Sequence, residues 1–343
     1  MKPIQIIGGG LAGLSLGIAL RQAGAPVSVI EAGHYPRHRV CGEFISGQGR
    51  TFLRESGLEK KFLARGAREA RTAAFYSRHA AGAPRLLPHP ALCLSRYVMD
   101  DCLAKEFRKL GGELTENARW RGEFGPGVVR ATGRSVTPSG RGWRWFGLKV
   151  HVRRVRLDAD LEMHLLADGY VGLCRLTDDI VNVCGLFRSR TPTPDLAKNW
   201  PRWLEGPEDS ILRKRLGKAD YLADSFCSTA GLALDPQRAA DRRDCSVGDA
   251  ITMIAPLTGN GMSMAFESAR LARDGLIDYS AGQASWAIAR ERIAQSCDAA
   301  FRQRLFWGRQ LQRAVFRRVL NDGAVWLGTH CPPLWRQLFD RTR

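Results

Sequence analysis

No stretch of this 343-residue sequence is apolar for long enough to cross a bilayer, and no charged N-terminal region leads into a cleavable apolar segment. These absences lead us to expect a cytoplasmic protein. The nine cysteines are odd in number and include no C-x-x-C pair. They indicate neither a disulfide framework nor a zinc site, and reduced thiols suit the same compartment. Internal repeats and low-complexity segments are also lacking. Acidic residues are the scarce charge, 34 against 52 Lys and Arg, which leaves a formal net charge of +18. The imbalance is sharp from Trp286 to Arg343, where eleven arginines and no lysine face four acids. Such a field favours anionic partners, among them a nucleotide, an acyl carrier protein or an anionic membrane surface met peripherally. Nucleic acid is not expected, because no reader fold or aromatic stacking platform accompanies the charge.

What is present begins at the N-terminus. The apolar run Ile4 to Ile7 leads into Gly8-Gly9-Gly10-Leu11-Ala12-Gly13, and Val27 to Ile30 ends on Glu31. This reads as a dinucleotide-binding βαβ unit. Gly8 permits the tight turn, Gly10 lets backbone approach a pyrophosphate, and Gly13 lets the helix from Leu11 to about Gln22 pack on the sheet. Leu11 and Ala12 open that helix, whose free N–H groups favour an anion. Glu31 follows Gly13 by 18 residues and stands where a ribose-binding acid is expected, with Ala32 beside it.

Further along, apolar spacing predicts helices over Thr51 to Leu63 and Leu94 to Leu110, and a short strand over Val128 to Ala131. The period then changes. Phe146 to Val155, Leu161 to Leu166, Tyr170 to Leu176 and Ile180 to Phe187 read as strands of an antiparallel sheet inserted between nucleotide-binding segments. A Pro-rich break covers Thr191 to Asp195, and a polar helical piece runs to Leu216. Near Cys245 the nucleotide-domain style returns, with a helix from about Met262 to Leu276. Ala284 to Leu320 reads as largely helical, with Trp307, Leu311, Val315 and Val319 as a core-packing stripe. The expected fold is α/β: a discontinuous FAD-type Rossmann domain (1–75, 92–140, 225–280), a substrate domain (76–91, 141–224) and a C-terminal helical region (281–343).

The second half carries Val247-Gly248-Asp249-Ala250 and Pro256-Leu257-Thr258-Gly259-Asn260-Gly261-Met262. Together with Gly8, Gly10, Gly13 and Glu31, these resemble the FAD-dependent oxidoreductases that include the aromatic hydroxylases, flavin-dependent halogenases and geranylgeranyl reductases. The resemblance spans nearly the whole chain and implies a Rossmann-like FAD-binding domain of the GR2 type. It implies that Asp249 accepts hydrogen bonds from ribityl hydroxyls, that Gly248 leaves room for the pyrophosphate, and that Gly259, Gly261 and Met262 bring backbone to the flavin's pyrimidine side. Pro256 would face the approach of oxygen or substrate. Arg96, within Leu94 to Asp100, is similar to an arginine that contacts the cofactor. The stretch from Pro36 through His38 and Arg39-Val40-Cys41-Gly42-Glu43 to Ser46 resembles the Cys-Gly segment of the geranylgeranyl-reductase branch, which places the cysteine beside the flavin. One departure is Ala131-Thr132-Gly133, where the family carries Ala-Asp-Gly; Gly133 can still supply the turn.

The resemblance implies FAD, with NADPH or another reductant as electron donor and no metal. Catalytic candidates are Cys41, Glu43 and Pro256. Arg39 joins the cofactor-binding residues, and the substrate candidates are Phe44, Trp145, Lys149, His151 and Phe187, with Trp143 and Phe146 as further pocket aromatics. A hydrophobic substrate, free or carrier-bound, is expected: an isoprenoid, a polyketide or a phenolic lipid. Three functions are consistent with this: a monooxygenase, a reductase or dehydrogenase of a carbon–carbon bond, and a basic protein that keeps FAD for structure. Halogenation is a weaker branch of the first, since Trp143-Arg144-Trp145 matches only the paired tryptophans of a halogenase motif.

Overall fold

The computed structural model describes residues 1–134, 142–191, 196–317 and 321–343. The N-terminal unit forms as its pattern requires: β1 (Ile4–Ile7), α1 (Leu11–Gln22) and β2 (Val27–Ile30). All residues of α1 from Leu11 to Leu20 are buried, so this helix is core throughout rather than amphipathic. The following segments are β3 (Phe44–Ile45), α2 (Gln48–Glu55), α3 (Leu58–Leu63), β4 (Arg68–Tyr76), β5 (Arg85–Cys93), α4 (Arg96–Lys109), β6 (Glu113–Thr115) and β7 (Val128–Arg130). One helix was expected over Thr51 to Leu63, but Gly57 sits at φ +72 and divides it into α2 and α3.

The middle of the chain gives β8 (Arg144–Arg153), β9 (Leu161–Leu165), β10 (Gly169–Arg175), β11 (Val181–Ser189), α5 (Leu196–Glu205), α6 (Ile211–Leu216) and β12 (Asp220–Ala230). The last part gives β13 (Cys245–Ser246), α7 (Gly261–Ser280), α8 (Trp286–Val315), α9 (Asn321–His330) and α10 (Pro332–Arg341). Among the described residues no helix is long and apolar enough to cross a membrane.

Two sheets organise these elements. The first is parallel, in the order β13-β7-β1-β2-β6. The second has eight strands in the order β12-β8-β11-β10-β9-β4-β5-β3, antiparallel except at β4 and β9. Strands β4, β5 and β12 were not anticipated, because their sequences are polar or broken in alternation and only pairing makes them strands. The second sheet therefore takes in 44–45, 68–75, 92–93 and 225–230, which the expected boundaries gave to the FAD domain; 135–141 lie outside the described residues. Its outer face is covered by α5 and α6, with Leu204, Leu212 and Leu216 closing a core over Val150, Val152 and Val183.

In α8 the buried stripe is Ala289, Ile293, Cys297, Phe301, Leu305, Gly308 and Gln312, continued by Val315. The expected stripe is thus shifted. Trp307 is only half-buried, Leu311 and Val315 line a cavity, and Val319 and Leu320 lie outside the described residues. A buried, two-pronged ion pair ties α8 to α7, Arg304 to Glu267 at 2.6 and 2.8 Å.

Candidate active site

A cavity of about 1100 Å³ runs from the carboxyl ends of β1, β2 and β7 to the inner face of the second sheet. That is where open parallel sheets bind ligands, because the helix N-termini and crossover loops converge there. At the nucleotide end the glycines divide into two kinds. A Cβ on Gly13 would lie 1.9 Å from the Gly8 carbonyl oxygen, and one on Gly8 (φ +110) would lie 2.3 Å from that of Ala131. These two let α1 and β7 pack on β1. A Cβ on Gly10, Gly133 or Gly261 would meet nothing within 4 Å, and all three line the cavity. Both α1 and α7 begin there without a side-chain cap, so their first N–H groups are left for a ligand.

Glu31 is buried, and its carboxylate accepts from the N–H of Gly9 (2.8 Å) and Gly33 (2.9 Å) while Arg37 pairs with it at 2.6 Å. Burial pulls its pKa up, but the Arg37 and Gly33 hydrogen bonds outweigh this and hold it below its ordinary range. Asp249 differs. It lines the cavity with no hydrogen bond or ion pair to any described residue, and burial pushes its pKa up to about 6, against the pull of Arg96 and Arg134. A half-buried acceptor of this kind, facing a cavity, is satisfied by a hydroxyl. The buried indole Nε1 of Trp120, also without a partner, lines the same end beside Phe124. Open glycines, free helix N-termini, surrounding arginines and an unmatched carboxylate suit a dinucleotide, and FAD fits this donor set.

At the other end, β-sheet register writes the wall in rows. Gly147, Leu186, Tyr170 and Leu165 pair across four strands; Lys149, Cys184, Gly172, Met163 and Phe75 form the next row; His151, Asn182, Cys174, Leu161 and Ala73 the third. The first row lines the cavity, as do the second and third apart from Lys149, His151 and Asn182. The segment 38–43 covers those three. Asn182 Nδ2 donates to the Cys41 carbonyl at 2.9 Å.

Glu43 sits at the junction of the two ends, fully buried at φ +61. Its Oε1 accepts from the Arg96 N–H at 2.8 Å and lies 3.6 Å from Lys149 Nζ, and its Oε2 meets His151 Nε2 at 2.7 Å. Burial raises its pKa, but the His151 hydrogen bond and the Lys149 charge together win, and it stays ionised below the ordinary range. Lys149 Nζ also reaches His38 Nδ1 at 3.0 Å. Burial and the neighbouring Lys149 and His151 lower His38 to about 4, so at neutral pH His38 is uncharged and accepts from Lys149. His38 stacks on the exposed Tyr97, centroids 4.7 Å apart, and lines the cavity. The result is a chain of proton-bearing groups from the surface to Glu43.

The structure thus brings Gly8, Gly10, Leu11, Ala12, Glu31, Ala32, Arg39, Cys41, Glu43, Phe44, Arg96, Gly133, Asp249, Pro256, Gly259, Gly261 and Met262 to one cavity. Several expected roles change. Gly248 makes room for α1 rather than for a phosphate, since its Cβ would lie 2.8 Å from that of Ala12. The space that Gly259 leaves is filled by the Phe44 ring, 2.0 Å from where a Cβ would stand. Arg96 lines the cavity while its Nε and Nη2 fork onto Asp100 at 2.8 Å each. Burial raises the Cys41 thiol above its ordinary pKa, against the Arg96 charge, so at neutral pH the thiol keeps its proton.

Phe146 and Phe187 pair directly on the outer face and stack on each other and against Trp203, away from the cavity. Trp143 and Trp145 line a different cleft. Lys149 and His151 lie behind the wall, bound to Glu43. Residues the sequence reading missed are His38, Tyr170, Cys184 and Trp335. His38 stood inside the segment already singled out, but its partner Lys149 is 111 residues away and no local signal joins them.

Comparison with known proteins agrees with this geometry. Residues 1–132 match the family model described as FAD binding domain. Conditioned medium factor receptor 1 of Dictyostelium discoideum is 26% identical over 136 residues, 33% of this chain and 25% of that protein, so the chain spans about a quarter of that curated relative. Among solved structures, a flavoprotein/dehydrogenase from Cytophaga hutchinsonii superposes with a TM-score of 0.78 at 15% identity, over 100% of this chain and 92% of that one. Halogenase PltM gives 0.74 at 16% identity, over 98% and 83%. PqsL, a probable FAD-dependent monooxygenase from Pseudomonas aeruginosa, gives 0.70 at 16% identity, over 95% and 99%. Residues 1–132 are thus similar to the FAD binding domain family, and the whole chain shares its fold with these flavoprotein, halogenase and monooxygenase structures.

Proposed function

We propose that this FAD-dependent oxidoreductase is a monooxygenase that hydroxylates a hydrophobic substrate of isoprenoid, polyketide or phenolic type. The observation that carries the reading is one continuous cavity with a dinucleotide-binding end and an apolar end, joined at a buried charged group. When bound, FAD supplies electron transfer to dioxygen. The chain's own residues do the rest. The α1 and α7 N-termini and Asp249 hold the cofactor, Met163, Phe75, Leu186 and Trp335 enclose the substrate, and Glu43 with His151 and Lys149 holds or passes a proton at the carboxylate Oε2. The overall balance takes one dioxygen, a substrate C–H and two electrons from a donor such as NADPH with a proton, and yields a hydroxyl and water. We place the protein in the cytoplasm, with its basic surface available to a carrier-bound or membrane-dissolved substrate.

A second reading, reduction or dehydrogenation of a carbon–carbon bond, is favoured by the higher superposition on a flavoprotein/dehydrogenase than on the other two structures. Isotope labelling separates the two. Turnover under labelled dioxygen should leave one labelled oxygen atom in the product. Undiminished turnover without dioxygen, using an artificial electron acceptor or donor, would move the assignment to the second reading.

A further inference from the structure

A second cleft, of about 850 Å³, lies between the start of β8, residues 231–237 and the last turns of α8. It is distinct from the nucleotide end, but Leu232 and Met253 line both it and the apolar end of the main cavity. Its floor is aromatic, with Phe316 buried against Trp145 at a centroid distance of 4.9 Å and the Arg188 guanidinium over the Phe316 and Trp143 rings at 4.5 and 4.0 Å. Its rim is basic. Arg144, Arg313 and Arg317 are exposed there, and none has a side-chain partner among the described residues. The one acid among the described lining residues, Asp235, is already taken by Arg309 at 3.0 Å. Three unmatched guanidinium groups lining one cleft favour an anion, and the aromatic floor offers contact to an apolar chain joined to it.

We propose that this cleft receives the phosphate head of an amphiphilic substrate whose apolar stem passes between Leu232 and Met253 into the main cavity. The proposal rests on reading that cavity as the site of a hydrophobic substrate. The phosphate can belong to a simple alkyl ester or to a phosphopantetheine thioester, since both join an anionic phosphate to a chain that ends in an apolar stem.

The test is calorimetric titration of the FAD-loaded protein with decyl phosphate, butyl phosphate, decanol and decanoyl-coenzyme A. Decyl phosphate should bind at least about tenfold more tightly than decanol, and added salt should narrow the gap. The triple variant Arg144→Gln, Arg313→Gln, Arg317→Gln should abolish the gap with flavin absorbance and melting temperature unchanged. Tighter binding of decanoyl-coenzyme A assigns the phosphopantetheine source, and tighter binding of decyl phosphate the simple ester. Met253→Trp, which narrows the shared wall, should remove the advantage of decyl over butyl phosphate. Equal affinity for decyl phosphate and decanol, or a gap that survives in the triple variant, would overturn the proposal. Absence of labelled oxygen in the product with the head-group preference intact would instead count against the monooxygenase reading alone.

Discussion

The two ends of the main cavity are built by different means. At the nucleotide end, closeness is made by the lack of side chains: Gly8 and Gly13 allow backbone to touch backbone, and Gly10 and Gly261 leave space open. At the sheet end, shape is made by which side chains the register turns inward, and the Glu43, His151 and Lys149 charges are gathered in one buried cluster. The first kind of site depends on a few neighbouring residues. The second depends on pairings between strands far apart in the chain.

The sharpest way to break the comparison is Gly13→Ala. Its methyl would meet a backbone oxygen at 1.9 Å that cannot swing aside, so the cost should exceed the ~1–3 kcal/mol typical of overpacking. We expect loss of soluble, yellow protein, read by yield and flavin absorbance. Phe187→Ala tests the other end's scaffold. It empties the outer core between Phe146 and Trp203 and should cost about 3–5 kcal/mol in thermal or urea unfolding, while substrate preference stays as it was. A change in preference without loss of stability would mean that Phe187 faces the cavity after all.

Gly10→Ala separates the two kinds of glycine. Its methyl enters open cavity, so the apoprotein should melt like wild type while FAD affinity falls roughly tenfold, a loss of about 1–2 kcal/mol, measured by flavin titration. The smallest effect concerns the buried cluster. His38 is depressed from 6.5 to about 4 in the folded protein, so folding binds fewer protons than the unfolded chain between those values. The associated stability is present above 6.5 and is lost as pH falls toward 4. His38→Gln should therefore flatten the fall in melting temperature from neutral to mildly acidic pH, and an unchanged slope would remove His38 from the cluster.

How much of this could be read beforehand differs between the two ends in the same way. The βαβ unit, the Gly248-Asp249 turn and the four strands β8 to β11 were legible because their signals lie within a few residues of one another. The resemblance of the Cys-Gly segment also pointed to Glu43, although not to its partners. Strand alternation did show that Gly147, Lys149 and His151 share one face and Phe146 the other, but period two carries no sign of which face is inward. That sign came from α5 and α6 covering Phe146 and Phe187.

Local sequence is enough to specify the dinucleotide-binding unit, the acid that closes it and the presence of an inserted sheet, because glycine spacing and local periodicity act through the backbone within one turn or hairpin. Only the tertiary structure decided that β4, β5 and β12 join that sheet, that Phe44 rather than a ligand fills the space beside Gly259, and that Glu43 meets His151 from 108 residues away. Those outcomes depend on packing between segments whose partners no local pattern names.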